Sequence, residues 1–143
     1  MKIVSAIARY LLGLIFTVFG LNGFLHFIPM GPLPPLAGQF VGALWQSHYM
    51  VVVFLIEIVA GVLLLATRYV PLALTMLAPV IFNIVLFHAF LAPQGLPLAL
   101  LVSLLWIAVA YRVRSVFLNL FKPVIWQGSS AKGAAITSTR MAA

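Results

Sequence analysis

Long runs of apolar residues, separated by short connections that contain prolines or charges, dominate the pattern of this chain. A helix needs about 20 apolar residues to cross the hydrocarbon core of a bilayer, and the runs at roughly 5–28, 49–67, 70–92 and 96–112 meet that requirement. Pro71 and Pro97 lie near the predicted helix starts, where a missing N–H costs least, and Pro29 follows the first run. The pattern therefore predicts an all-α fold, an integral membrane four-helix bundle.

The connection between the first two runs is about twenty residues long, which is unusual in a compact bundle. After a proline-rich start, its apolar residues recur at near-helical spacing: Leu36, Phe40, Val41, Leu44 and Trp45. This spacing predicts a short interfacial helix in the first outer loop. Trp45 and Tyr49 would then be belt residues at the level of the lipid headgroups, and a lid over a bound ligand is the alternative interpretation.

The composition points to the same class of protein. Of the 143 residues, 65% are hydrophobic and only 6% are charged, which leaves too little polar surface to cover a water-soluble globule. Because no linker divides the apolar runs, we expect one transmembrane domain at 1–127, followed by a flexible cytoplasmic tail at 128–143. The sequence contains no cysteine, which excludes disulfides, cysteine-ligated metals and thiol redox chemistry by this chain.

The positive charges predict the orientation of the bundle. All eight basic residues fall on one side of the predicted topology, at Lys2, Arg9, Arg68, Arg112, Arg114, Lys122, Lys132 and Arg140. The connections at 29–48 and 93–95, on the other side, carry no Lys or Arg, so the positive-inside rule places both termini in the cytoplasm. Topology thereby accounts for the net charge of +7, and nucleic acid is not an expected partner.

Polar residues within the predicted spans define a candidate site. Glu57 is the only acidic residue of the chain and falls near the middle of the second span. When depth is counted at about 1.5 Å per residue from the midpoint of each span, Asn83, Asn22, His88 and His26 all fall in the outer half of the membrane. Because polar groups inside a membrane are costly, this set predicts a site that opens toward the outer face.

Two interpretations of Glu57 remain open at the level of sequence. Ala60 and Gly61, one turn away, allow another helix to approach, so we expect the carboxyl to face protein and to be neutral in its apolar surroundings. As a functional group, Glu57 would relay a proton or anchor the polar headgroup of a ligand. The alternative is a hydrogen bond to Asn22 or Asn83 that only holds helices together.

The two histidines within the spans also allow more than one role. Paired histidines ligate haem in membrane cytochromes. His26 and His88 lie close to the predicted interface and are not part of repeated histidine-bearing helices, which argues against haem, and we expect no metal site. A different role for His88 is to admit protons toward Glu57.

Several motifs of the chain are similar to those of a known family. The segment Arg9-Tyr-Leu-Leu-Gly-Leu-Ile-Phe, followed by Gly20-Leu-Asn-Gly-Phe, resembles the first helix of the DoxX-like family of small bacterial membrane proteins. Three further segments resemble its second and third helices: Glu57-x-x-x-Gly61-x-Leu-Leu-Leu, Pro71-Leu-Ala-Leu and Leu77-Ala-Pro-Val-Ile-Phe-Asn-Ile-Val-Leu-Phe-His88. The resemblance covers about residues 5 to 121. It implies a four-helix protein of the bacterial inner membrane.

The family includes proteins related to a subunit of thiosulfate:quinone oxidoreductase, and this leads to a functional hypothesis. We expect an accessory subunit of a membrane redox system that binds a quinone or similar amphipathic ligand near Glu57, with Asn22, Asn83, His88 and His26 as further ligand-binding residues. Phe82, Phe87 and Phe90 would be candidate walls. Any enzymatic role would be that of a quinone-linked oxidoreductase subunit, acting with a redox partner subunit or as a homo-oligomer. A noncatalytic scaffold or assembly protein and a small-molecule or proton transporter are the alternatives.

Overall fold

The computed structural model describes residues 2–29 and 31–120 of the chain, and the expected tail at 128–143 lies outside them. The described part consists of six α-helices and one 3₁₀ turn at Pro93–Gly95, with no strand. The helices are α1 Lys2–Leu25, α2 Pro35–Gln46, α3 Tyr49–Leu65, α4 Val70–Phe90, α5 Leu96–Arg112 and α6 Arg114–Leu120. The expectation of an all-α bundle is confirmed for these residues.

The helix ends lie close to the ends of the apolar runs, and backbone conformation explains where they differ. The run at 5–28 continues beyond α1, but His26 adopts a left-handed conformation with φ 52°, which ends the helix at Leu25. Thr67, with φ 57°, similarly follows the end of α3. The predicted short helix of the first outer loop is α2, and Pro35 supplies its first residue, where a missing N–H is tolerated.

The tightest packing in the bundle joins α1 to α3, which run antiparallel. A Cβ atom built on Gly13 would lie 3.0 Å from the Gly61 carbonyl oxygen, and one built on Gly20 would lie 3.0 Å from the Phe54 carbonyl oxygen. These distances show that the two backbones touch where the side chains are absent, as small residues permit between membrane helices. The glycines at 13 and 20 therefore form a packing surface on α1.

The helices α4 and α5 complete the bundle around an apolar core. The fully buried side chains of largest volume are Leu12, Leu64, Leu74, Leu77 and Val109, which come from four different helices. The Trp106 indole Nε1 donates a hydrogen bond of 3.0 Å to the Leu74 carbonyl oxygen, so α5 is also attached to α4 by a polar contact. Apolar side chains cover the outside of the bundle as well, as expected of a protein in contact with lipid.

Three helices of the structure are individually long and apolar enough to cross a membrane: Ile3–Leu25, Val70–Phe90 and Pro93–Arg112. The remaining predicted span, the second along the chain, corresponds to α3, which has 17 residues, or about 25 Å at the usual helical rise, and is joined to α2 through a bend of 86°. If α3 crosses the membrane, α2 therefore runs nearly parallel to the membrane plane. The chain is a multi-pass membrane protein with three candidate spans in its described residues, or four if the bent pair counts as one.

The two ends of the bundle differ in chemistry. At one end, which we call the basic end, α1 and α4 begin and α3 and α5 finish, close to Arg9, Arg68 and Arg112. At the other end, which we call the aromatic end, α2 lies against the termini of α1, α3 and α4. Ring contacts mark this end, including Phe40 of α2 with Phe87 of α4, whose centroids are 6.1 Å apart.

Candidate functional site

Glu57 lies in the seam between α3 and α1. Its side chain is only 6% exposed, and it shares a buried face of α3 with Ala60, Gly61 and Leu64. A Cβ atom on Gly20 of α1 would lie 3.1 Å from the Glu57 Cβ, so the glycine makes room for the base of the acidic side chain. The sequence-based expectation that Glu57 faces protein agrees with this position.

The carboxyl group of Glu57 has no hydrogen-bond partner among the described residues. Asn22 and Asn83, its expected partners in an interhelical bond, donate their hydrogen bonds to other groups. No completely enclosed polar side-chain atom of the described residues lacks a partner, so the Glu57 oxygens must keep some accessible surface. A carboxyl group that is almost buried and has no partner among the described residues can form a hydrogen bond with a ligand.

Asn22 organises the chain where it leaves α1. Its side-chain oxygen accepts a hydrogen bond of 2.6 Å from the Ile28 N–H, and its Nδ2 donates to the Ile28 carbonyl oxygen at 3.3 Å. The side chain is 7% exposed. Because an amide carries both a donor and an acceptor, Asn22 replaces the backbone partners that Ile28 loses when the helix ends at Leu25.

His26 belongs to an aromatic cluster formed by Phe24, His26, Trp45 and Phe54, which joins α1, α2 and α3 at the aromatic end. The His26 and Trp45 rings lie 5.7 Å apart, the Trp45 and Phe54 rings 5.5 Å, and the Phe54 and Phe24 rings 5.9 Å. Phe54 occupies the space above Gly23, where any Cβ atom would collide with its ring. The cluster holds α2 against the end of the α1–α3 pair.

Phe87 and His88 form a second contact region at the aromatic end. Phe87 packs against Phe40 of α2, and its ring meets the His88 ring edge to face at 5.2 Å. His88 Nδ1 is 2.9 Å from the Ala92 carbonyl oxygen, and its ring fills the space over Gly95, where a Cβ atom would collide with it. With Nδ1 as the donor, His88 closes the turn between α4 and α5.

Asn83 is apart from the other candidate residues, on an exposed face of α4. Its Nδ2 donates a hydrogen bond of 2.9 Å to the Pro79 carbonyl oxygen of its own helix. Phe82 and Phe90, the other proposed walls, are 64% and 79% exposed. These three residues face outward from the single chain, so a ligand that contacted them would lie on the outside of α4.

The residues predicted to form one ligand site therefore lie in separate regions of the structure. Glu57 lies in the α1–α3 seam, His26 in the aromatic cluster, and Phe87 with His88 at the α4–α5 turn, while Asn22 holds the end of α1. Phe54 was not among the predicted residues, yet it lies one turn from Glu57 on the same side of α3 and belongs to the aromatic cluster. The sequence does indicate that Phe54 is near Glu57, because residues three apart on a helix are neighbours on its surface.

Comparisons of the chain with protein-family models, with curated proteins and with solved structures give no match.

Proposed function

We propose that the chain is a DoxX-like protein of the bacterial inner membrane, an accessory subunit of a redox system that binds a quinone or similar amphipathic ligand through Glu57. The basic end would face the cytoplasm, α3 would be the fourth span, and the aromatic end with α2 would lie at the outer surface. The motifs in α1, α3 and α4 support the family assignment, and the distribution of Lys and Arg supports the orientation.

The observation that carries the proposal is the Glu57 carboxyl, which has no hydrogen-bond partner among the described residues. In an apolar medium a neutral carboxylic acid donates one hydrogen bond and accepts others, which suits a quinone carbonyl or a quinol hydroxyl. Phe54 lies one turn closer to the aromatic end, so a planar headgroup bonded to Glu57 would meet an aromatic ring. A side chain that served only to join helices would be expected to have its partner within the bundle.

Substitution of Glu57 separates ligand binding from a purely structural role. Because the carboxyl bonds to nothing within the described bundle, Glu57→Leu should fold with the stability of the wild type but bind a short-chain ubiquinone about tenfold more weakly, the value of one good hydrogen bond. Glu57→Gln keeps a donor and an acceptor and should keep binding, but it loses the proton that a relay would transfer. Ser103→Ala removes a polar group that bonds only to Ala99 of its own helix and is the matched control.

The measurement is a titration of the full-length protein in neutral detergent with the quinone, followed by tryptophan fluorescence, together with an unfolding curve for each variant. Weaker binding in Glu57→Leu alone, at unchanged stability, supports the proposal. If Glu57→Leu stays folded and binds the quinone as tightly as the wild type, or if Glu57→Leu unfolds while Glu57→Gln stays folded and the labelled wild-type carboxyl does not respond to quinone, Glu57 is a structural residue and the ligand role is wrong.

The exposed face of α4 supports a second candidate function, that of a membrane scaffold that associates through this face. Thr75, Pro79 and Asn83 follow each other at intervals of four residues and are exposed. Pro79 has no N–H for the Thr75 carbonyl oxygen, and no described group bonds to the Asn83 side-chain oxygen. Amides are self-complementary, so two copies of α4 could satisfy these groups in lipid, where unpaired polar atoms are costly.

Cross-linking in lipid nanodiscs tests the scaffold function. Asn83→Leu should reduce dimer formation several-fold if the amide joins two copies, whereas Ser103→Ala should leave it unchanged. Equal dimer fractions in the wild type and Asn83→Leu would contradict association through α4.

A further inference from the structure

A cleft at the basic end is lined by two arginines from different helices. It has a volume of about 210 Å³ and lies between α1, α4 and α5, with Ser5 and Arg9 from α1 and Arg112 from α5. The remaining lining is apolar: Ala6, Val70, Val109 and Val113. We propose that this cleft binds the phosphate group of an anionic phospholipid.

Arg9 is held in a fixed position by the bundle itself. Its Nη1 donates to the Leu64 carbonyl oxygen at the end of α3, and its guanidinium lies 4.1 Å from the centroid of the Tyr10 ring. A guanidinium carries five N–H donors, so the bond to Leu64 leaves several of them free to contact an oxyanion. Because the group is already oriented, little conformational entropy is lost when it binds.

The two arginines have no acidic side chain to neutralise them. The chain has eight basic residues and one acidic residue, Glu57. Glu57 precedes Leu64 by seven residues on α3, which places it about 10 Å along the helix from the carbonyl that Arg9 contacts. Two guanidinium groups beside one cleft, without a carboxylate, favour a bound anion, and arginine matches the geometry of a phosphate group.

A lipid is favoured over free phosphate by the surroundings of the cleft. Four of its seven lining residues are apolar, namely Ala6, Val70, Val109 and Val113, and apolar side chains also cover the outside of the bundle. A phospholipid can place its phosphate between the arginines and its acyl chains along these side chains. Inorganic phosphate would gain only the polar part of this contact.

The experiment compares two neighbouring arginines. Full-length protein in neutral detergent is equilibrated with equal amounts of phosphatidylglycerol and phosphatidylcholine, and native mass spectrometry gives the ratio of the two lipids bound. Arg112→Gln should lower this ratio about tenfold, as expected for one lost charge-assisted hydrogen bond. Arg114→Gln is the matched control, because Arg114 lines a different, apolar groove and packs on Tyr111 at 4.3 Å, and it should leave the ratio nearly unchanged.

Two further arms make the result decisive. Arg9→Lys keeps the charge but not the planar set of donors, so it should lower the ratio less than Arg9→Gln, provided that both variants keep the wild-type unfolding midpoint. Excess inorganic phosphate should fail to displace phosphatidylglycerol, and displacement would show that the lipid assignment is wrong. An equal loss in Arg112→Gln and Arg114→Gln, or no preference for phosphatidylglycerol in the wild type, would overturn the proposal.

Discussion

Replacement of Gly61 by alanine is expected to destabilise the bundle because the new methyl group has no space. A Cβ atom at this position would lie 2.5 Å from Thr17 Oγ1, 2.8 Å from the Thr17 backbone nitrogen and 2.9 Å from the Gly13 carbonyl oxygen. Two of these three atoms belong to the α1 backbone, so a change of rotamer cannot relieve the contact. The helices α1 and α3 would have to move apart along their whole interface.

The net effect is the difference between two opposing terms. Overpacking of a well-packed interface costs about 1–3 kcal/mol, and contact with backbone places Gly61→Ala near the upper limit. The higher helix propensity of alanine returns about 1 kcal/mol. We therefore expect the free energy of unfolding to fall by about 2 kcal/mol.

The assay is equilibrium unfolding of the purified protein in mixed micelles, with an increasing fraction of a denaturing detergent, followed by circular dichroism. Gly42→Ala is the matched control, because a Cβ atom on this α2 glycine would meet nothing within 4 Å, and its stability should be unchanged or slightly higher. If Gly61→Ala is as stable as Gly42→Ala, the close contact of α1 with α3 does not exist in the protein.

Two other contacts give predictions of the same kind. Asn22→Ala leaves the Ile28 N–H without its partner and should lower the free energy of unfolding by about 1–3 kcal/mol. Asn83→Ala removes an exposed amide and should have little effect on the same quantity. Equal effects of the two changes would contradict the role of Asn22. Trp106→Phe removes the hydrogen bond to the Leu74 carbonyl oxygen and should cost about 1 kcal/mol in the same unfolding assay, and an unchanged midpoint would show that this bond is not formed.

The course of the helices could be predicted from sequence because membrane spans require long apolar runs and because proline and charge mark their ends. All four predicted spans agree with helices of the structure to within a few residues, and α2 lies where the spacing of Leu36 to Trp45 indicates a helix. The small residues Ala60 and Gly61 also indicated where another helix could approach α3, since a missing side chain permits a close contact.

The arrangement of the polar residues could not be obtained in this way. Depth along a span and position around a helix are properties of one helix, whereas a site depends on how different helices are rotated toward each other. Asn83 has a depth similar to Glu57, yet it lies on an exposed face of α4. Asn22 bonds to Ile28 because His26 adopts a left-handed conformation, and nothing in the sequence pattern indicated this turn.

The contacts within the aromatic cluster could not be predicted from sequence either. Trp45 was expected to lie in the headgroup belt, which its position in α2 permits, but its contacts with His26 and Phe54 depend on the 86° bend between α2 and α3. Once α2 is turned across the aromatic end, residues that are distant in sequence come into contact. The bend is set by the short connection at Ser47 and His48, where His48 is left-handed with φ 58°.

The central claim, that Glu57 binds the polar headgroup of a ligand, can be tested at a single carboxyl group. Because the chain contains one Glu and no Asp, glutamate labelled with ¹³C in its side-chain carboxyl marks only Glu57. Infrared difference spectra of the labelled protein, recorded with and without a short-chain ubiquinone, would follow its C=O stretch directly. The labelled band should be missing in Glu57→Gln, which assigns it, and we predict that it shifts in the wild type on quinone addition. An unshifted band at saturating quinone would contradict the account.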